Sequence, residues 1–152
     1  MADLEHLFRD SRWLCIQAEQ CITRRLAALG VTAVQARILL YILHAGDQGI
    51  SLTALHHTFG YSMATMSGMV KRLREKGYLV AKHCKEDDRR RLLCATEKSR
   101  RLQSDLEHVI DTVQSGLYEG LSPDELCTLD RLQGKMLHNL SALTAPKEES
   151  KS

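Results

Sequence analysis

The stretch SMATMSGMVKRLREKGYLVAKHCKEDDRRRLLCATEKS, residues 62–99, changes period part-way along. From Ser62 to Lys76 apolar residues recur at helical spacing, and Gly77 stops the pattern, as glycine does just past a helix end. Two short apolar-rich runs follow, 79–85 and 90–96, around a polar turn, and this arrangement reads as a β-hairpin. Thr96 then stands in position to cap another helix. Before this stretch, LTALHHTF (residues 52–59) predicts a short helix capped by Ser51. A turn of three or four residues containing Gly60 joins that helix to the next, which is helix-turn-helix spacing. A hairpin directly after the second helix of such a pair is a wing.

On a helical wheel Met63, Met66, Val70 and Leu73 share one side of the helix that Ser62 caps, the side expected to pack inward. The opposite side carries Ala64, Thr65, Gly68, Lys71, Arg72 and Glu75, with Ser67 on its shoulder. That face is small at its N-terminal half and basic at its C-terminal half. Small hydroxyl residues and a glycine allow close approach to base edges, Thr65 and Ser67 can bond bases or phosphates, and Lys71 and Arg72 can reach guanine or backbone. An ordinary amphipathic surface helix also carries a few bases. What that account leaves over is Gly68, since glycine inside a helix costs about 1 kcal/mol relative to alanine.

Charge places the same stretch in context. The chain has 152 residues and a net charge of +2. Residues 1–70 are neutral overall, whereas 71–101 hold twelve bases and five acids, and 102–152 hold four bases and nine acids. One short segment therefore carries a strong positive field, which suggests a polyanionic partner. Within it, three acids (Glu86, Asp87, Asp88) run into three arginines (Arg89, Arg90, Arg91). A solvated turn would explain such a run by cancellation, and an exposed pair contributes at most about 1 kcal/mol. Its place after a helix-turn-helix favours a different reading. Asp87 sets the turn and aims Arg89, Arg89 enters a minor groove, and Arg90, Arg91, Lys82 and Lys85 hold phosphates.

The flanks are helical. Helix 1 is expected over 3–28, with Leu4, Leu7, Leu14, Ala18, Cys21, Ile22 and Leu26 as its apolar stripe. Helix 2 starts at the Thr32-x-x-Gln35 cap and carries Ile38, Leu39, Ile42 and Leu43 to about His44. Residues 49–51 predict one short strand. Helix 5 follows Thr96 with Leu102, Leu106, Val109, Ile110, Val113 and Leu117. Helix 6, about 122–143, opens on Ser122, Pro123 and Glu125, a capping box with proline at its first position. It carries Leu126, Leu129, Leu132, Met136, Leu140 and Leu143. Gly30, Gly46, Gly60, Gly77 and Gly120 each close an apolar-periodic stretch. The expected fold is mainly α with a small β wing: six helices and a two- to three-stranded antiparallel sheet.

Here the chain resembles the MarR family of bacterial winged helix-turn-helix regulators. VKRLREKGYLV and DDRRRLLCATEKS carry the resemblance, together with LGVTAVQARILLYI. Asp87 and Arg89 match the family's Asp-x-Arg, and Thr96-Glu97-Lys98 its helix start. Ala95 and Ser99 depart from the usual leucine and glycine, and both are expected to be tolerated in packing. The resemblance implies a homodimer in which helices 1, 5 and 6 interlock and each winged domain reads half of a pseudo-palindromic operator in double-stranded DNA. The long apolar stripes of those helices agree, being more than a winged domain of about 70 residues can bury alone. Residues 1–30 and 97–144 are thus expected to form the helical dimerisation region, 31–96 the winged domain, and 145–152 a disordered tail. The expected DNA-binding residues are Ser62, Thr65, Ser67, Gly68, Lys71, Arg72, Lys85, Asp87, Arg89, Arg90 and Arg91. A repressor released by a small-molecule effector is the leading expectation, with the effector's binding residues unassigned.

Other classes find little support. Nucleophile elbow, phosphate loop and paired carboxylates with a task are all missing, so no enzyme and no cofactor are expected. The seven histidines include no His-x3-His pair, and no metal is expected. No apolar run suits a membrane span and MADLEHLFRD is not shaped like a signal peptide, so no membrane partner and a cytoplasmic location are expected. Five cysteines without a CxxC pair fit reduced thiols. Cys15 and Cys21 in helix 1 leave an oxidant-sensing regulator as an alternative, although both are expected to be inert core residues. A winged-helix module for protein interaction, its basic segment binding an acidic surface, is the other.

Overall fold

The computed structural model describes residues 1–83, 86 and 91–144. Six helices and three strands run in the expected order: α1 (Leu4–Arg25), α2 (Ala33–His44), β1 (Ile50–Ser51), α3 (Leu52–Phe59), α4 (Met63–Glu75), β2 (Leu79–His83), β3 (Arg91–Ala95), α5 (Glu97–Leu117) and α6 (Pro123–Thr144). The strands make one antiparallel sheet in the order β1-β3-β2. Leu93 of β3 sits between Ile50 and Ala81, and Ala95 pairs with Leu79. Placing the return strand in the middle ties the wing to the segment that introduces α3. No helix among the described residues is long and apolar enough to cross a membrane.

The caps read from sequence are in place. Thr32 Oγ1 accepts from the Gln35 amide while the Gln35 side chain accepts from the Thr32 amide. Ser122 and Glu125 do the same for α6. Gly60 ends α3 in the left-handed conformation, φ 73°, which glycine adopts without the Cβ clash. The cap of α5 holds a surprise in Ser99, which is fully buried. Its hydroxyl accepts from the Thr96 amide at 2.9 Å and lies 2.9 Å from the Thr96 carbonyl, while the Ser99 amide donates to Thr96 Oγ1 at 3.4 Å. The departure from glycine thus supplies the reciprocal half of a capping box.

The chain forms two compact units, Met1–Gln114 and Ser115–Ser152. In the first, Ile22, Leu26, Ile38, Leu39, Ile42, Leu55, Met66, Leu73, Leu79 and Leu106 are fully buried. The core therefore joins the end of α1, α2, the helix-turn-helix, the sheet and the middle of α5.

Several expectations need correction. α1 stops at Arg25, and a single 3-10 turn, Ala27–Leu29, carries the chain to Gly30. Of its apolar stripe only Ile22 and Leu26 are buried, whereas Leu4, Leu7 and Leu14 are exposed. Met63 was expected inside but is 42% exposed, because it occupies the first turn of α4, beyond the reach of the core. In the second unit α6 has no buried residue. The periodicity of α1 and α6 is real, and among the described residues most of it stays exposed. β2 is described over Leu79–His83, with residues 84 and 85 of the expected run outside the described residues, and Thr96 caps α5 as expected.

Candidate nucleic-acid interface

α4 is held from behind and open in front. Met66 and Leu73 are fully buried and Val70 nearly so, which fixes the helix against the core. Ser62, Ala64, Thr65, Ser67, Gly68, Lys71, Arg72 and Glu75 are all exposed. Thus every expected DNA-contacting residue of α4 lies on its solvent side, as the wheel predicts.

The N-terminal end of that face is pre-ordered. Ser62 Oγ accepts from the Thr65 amide at 3.1 Å and donates to Thr65 Oγ1 at 2.9 Å. This leaves the Thr65 hydroxyl proton to donate outward, to a base acceptor or a phosphate oxygen. The turn behind it is pinned by His56, whose Nδ1 lies 2.6 Å from the Tyr61 carbonyl. His56 was not singled out by sequence, because a histidine on a short helix gives no sign of which carbonyl it will meet.

The basic half of α4 meets the wing. A cleft of about 270 Å³ is lined by Ser67, Lys71 and Arg74 from α4 and by Ala81, Arg91 and Leu93 from the sheet, with Leu52 and Val70 beneath. Arg91, expected as a backbone-holding residue, therefore shares one cleft with Ser67 and Lys71. Arg74 was missed. Its place in the basic segment was the available signal, but the wheel assigned it to neither face. Lys71 also lies 3.9 Å from Glu75, both well exposed, a pair that contributes little. Lys85, Asp87, Arg89 and Arg90 lie outside the described residues.

Cys15 is exposed and Cys21 half-buried, which overturns the expectation that both are core residues. Among the described residues no three His, Cys, Asp or Glu side chains are grouped to hold a metal.

Residues 29–90 match the MarR family. This winged segment belongs to the MarR family. The match covers α2 through α4 and the outgoing strand of the wing. Solved MarR-family structures extend the likeness of fold over most of the chain. MepR from S. aureus, in complex with DNA, is 21% identical, with a TM-score of 0.81 over 91% of this chain and 99% of that one. A mutant of MarR from E. coli, complexed with operator DNA, is 23% identical, with a TM-score of 0.78 over 90% and 99%. BpsR from Bordetella bronchiseptica, whose DNA binding is regulated by 6-hydroxynicotinic acid, is 22% identical, with a TM-score of 0.73 over 88% and 92%. At these identities the shared property is the fold.

Proposed function

We propose that this protein is a sequence-specific DNA-binding transcriptional regulator that acts as a homodimer on a pseudo-palindromic operator. The observation that carries this reading is the outward face of α4. It offers hydroxyls and a glycine at one end and cations at the other, and Lys71 and Arg74 share a cleft with Arg91 of the wing. An α-helix fits the major groove, the hydroxyls and Gly68 suit base edges, and Lys71, Arg72, Arg74 and Arg91 suit phosphates or guanine. The MepR and MarR structures with DNA, alike in fold, support the same use of α4 and the wing. The apolar residues left exposed on α1 (Leu4, Leu7, Phe8, Trp13, Leu14) and on α6 (Leu132, Met136, Leu137, Leu140, Leu143) suit burial against a second copy. On this reading 1–30 and 97–144 carry the dimer contacts and 31–96 the DNA contacts.

The finer proposals are repression, release by a small ligand as BpsR exemplifies, and a cytoplasmic location beside chromosomal DNA. The tip is assigned Asp87 as the turn-setter, Arg89 as the minor-groove residue, and Lys85 and Arg90 as phosphate contacts. Arg89→Ala is expected to weaken operator binding about tenfold or more while leaving the protein folded. Titration of labelled operator with both proteins, alongside their circular dichroism, provides the check. An affinity within a factor of about two of the parent contradicts the aimed arginine.

A further inference from the structure

The winged segment joins the flanking helices at two points, the connection from α1 at Leu29–Gly30 and the connection to α5 at Thr96–Lys98. Both meet the C-terminal end of α4. Lys76, the C-cap of α4, donates through Nζ to the Gly30 carbonyl. Tyr78, buried, donates its hydroxyl to the Leu29 carbonyl at 2.9 Å. From the other side, Lys98 Nζ donates to the Lys76 carbonyl at 2.7 Å and stands 4.6 Å from the centre of the Tyr78 ring. Thr96 Oγ1 donates to the Gly77 carbonyl at 2.7 Å, and the Thr96 amide to the Tyr78 carbonyl at 3.3 Å. The carbonyls of three successive residues just past α4 are thereby taken by the start of α5, and two carbonyls in the connection from α1 are taken by side chains just past α4.

This is more than a helix cap. Two of the acceptor carbonyls belong to Gly30 (φ 64°) and Gly77 (φ 79°), backbone positions where the chain reverses without a side chain to brace it. Lysines provide the bracing. A Cβ on Gly30 would lie 3.3 Å from Lys76 Nζ, and one on Gly77 would lie 3.8 Å from Lys98 Cδ, so each lysine stem runs alongside its glycine. The ammonium of Lys98 bonds a carbonyl at the negative end of α4 and lies over an aromatic face, two favourable settings for one cation. The core contacts of Met66, Val70 and Leu73 hold the inner face of α4, and its C-terminal end is tied to the α1 and α5 connections by these directional polar bonds near the surface, which admit discrete alternatives more readily than an interlocked apolar contact does.

We propose that Lys98, acting through Lys76 and Tyr78, is a positioning residue that fixes the angle of α4 against the flanking helices and so sets the half-site spacing that the dimer reads. The proposal rests on the DNA-binding dimer of the preceding section. Lys98 touches no DNA on this account. It acts by holding the helix that does.

The test uses the full chain carrying a genetically encoded spin label at Ala64 on α4, with the distance between labels of the two copies measured by pulsed dipolar spectroscopy. The parent is expected to give one narrow distance distribution. Lys98→Met, which keeps the stem and loses the cation, broadens it, and Lys98→Arg, which keeps the cation, leaves it narrow. Tyr78→Phe, which loses only the hydroxyl bond to Leu29, also broadens it. In unlabelled protein, Lys98→Met reduces discrimination against a one-base-pair insertion between half-sites by about fivefold or more. Thermal unfolding identifies variants that fold. Narrow distributions and parental spacing preference in folded Lys98→Met and Tyr78→Phe overturn the proposal and leave the dimer reading intact. No dipolar signal between copies in the parent overturns both.

Discussion

Two glycines show how much one residue can reveal. Gly49 is enclosed: its φ is 72°, and a Cβ there would meet Cys94 Sγ at 2.8 Å and the Leu93 carbonyl at 3.0 Å. Gly68 is helical, and nothing lies within 4 Å of its missing Cβ. Gly49→Ala therefore adds both strain and overpacking and is expected to cost about 2 kcal/mol in urea unfolding. Gly68→Ala removes an entropic penalty and is expected to stabilise the free protein by up to about 1 kcal/mol while weakening its hold on DNA. Stability and affinity moving in opposite directions is the signature of a residue kept for an external contact. Unchanged affinity would reduce Gly68 to an accident of the surface. Sequence singled out Gly68 through its cost inside a helix, whereas nothing in sequence predicted what encloses Gly49, because its neighbours come from the returning strand. Glu107 gives a pH prediction. The Gln103 side chain donates to its carboxylate at 2.9 Å and His44 Nε2 lies at the same distance, and these bonds hold its pKa below the usual value. A lowered folded pKa favours the ionised form in the native state. The stabilisation is therefore fully present above the ordinary glutamate value, about 4.3, and is lost as pH falls through the lowered one. Thermal midpoints of the parent and Glu107→Gln should differ near neutrality and draw together in acid.

Elements were legible wherever periodicity, cap and terminating glycine agreed. α2 and α6 begin at the caps expected of them, and α3 and α4 flank the expected turn. The wing was legible as a hairpin, and so was the short strand at 50–51. Its pairing with β3 was not, since a two-residue strand says nothing about its neighbour. Burial was harder to read than structure. The stripes of α1 and α6 were read as more than the winged domain can bury alone, and within the chain Leu14 and Leu140 are more than half exposed. A wheel shows that a face is apolar without showing whose surface covers it. The N-terminus of α4 provides the prediction at this scale. Ser62→Ala removes the hydroxyl that accepts from the Thr65 amide and orders the Thr65 side chain. A destabilisation of about 1 kcal/mol is expected, together with weaker operator binding, in paired denaturation and DNA titrations. Loss of stability with no loss of affinity would confine Ser62 to capping.

At the scale of the molecule, charge and exposed apolar surface divide the work. The basic segment 71–101 lies on α4, the wing and the first turn of α5, while the acidic segment 102–152 spans the rest of α5 and α6. This polarity favours an approach to DNA with the basic segment toward the phosphates. It also makes affinity depend on salt, since each neutralised phosphate releases a counterion. The apolar residues exposed on α1 and α6 make a second demand. Analytical ultracentrifugation should find a dimer at micromolar concentration, and Leu137→Glu together with Leu140→Glu should shift it toward monomer while leaving α4 folded. The account's central claim is that α4 and the wing read double-stranded DNA in a sequence-dependent way. Its most direct test is selection of bound duplexes from a random library, followed by titration of the recovered sequence across a salt series. The account predicts an inverted repeat whose log affinity falls with log salt at a slope near about −7, the value for roughly 8 phosphates. Recovery of no preferred sequence even at low salt, or an affinity indifferent to salt, would contradict it.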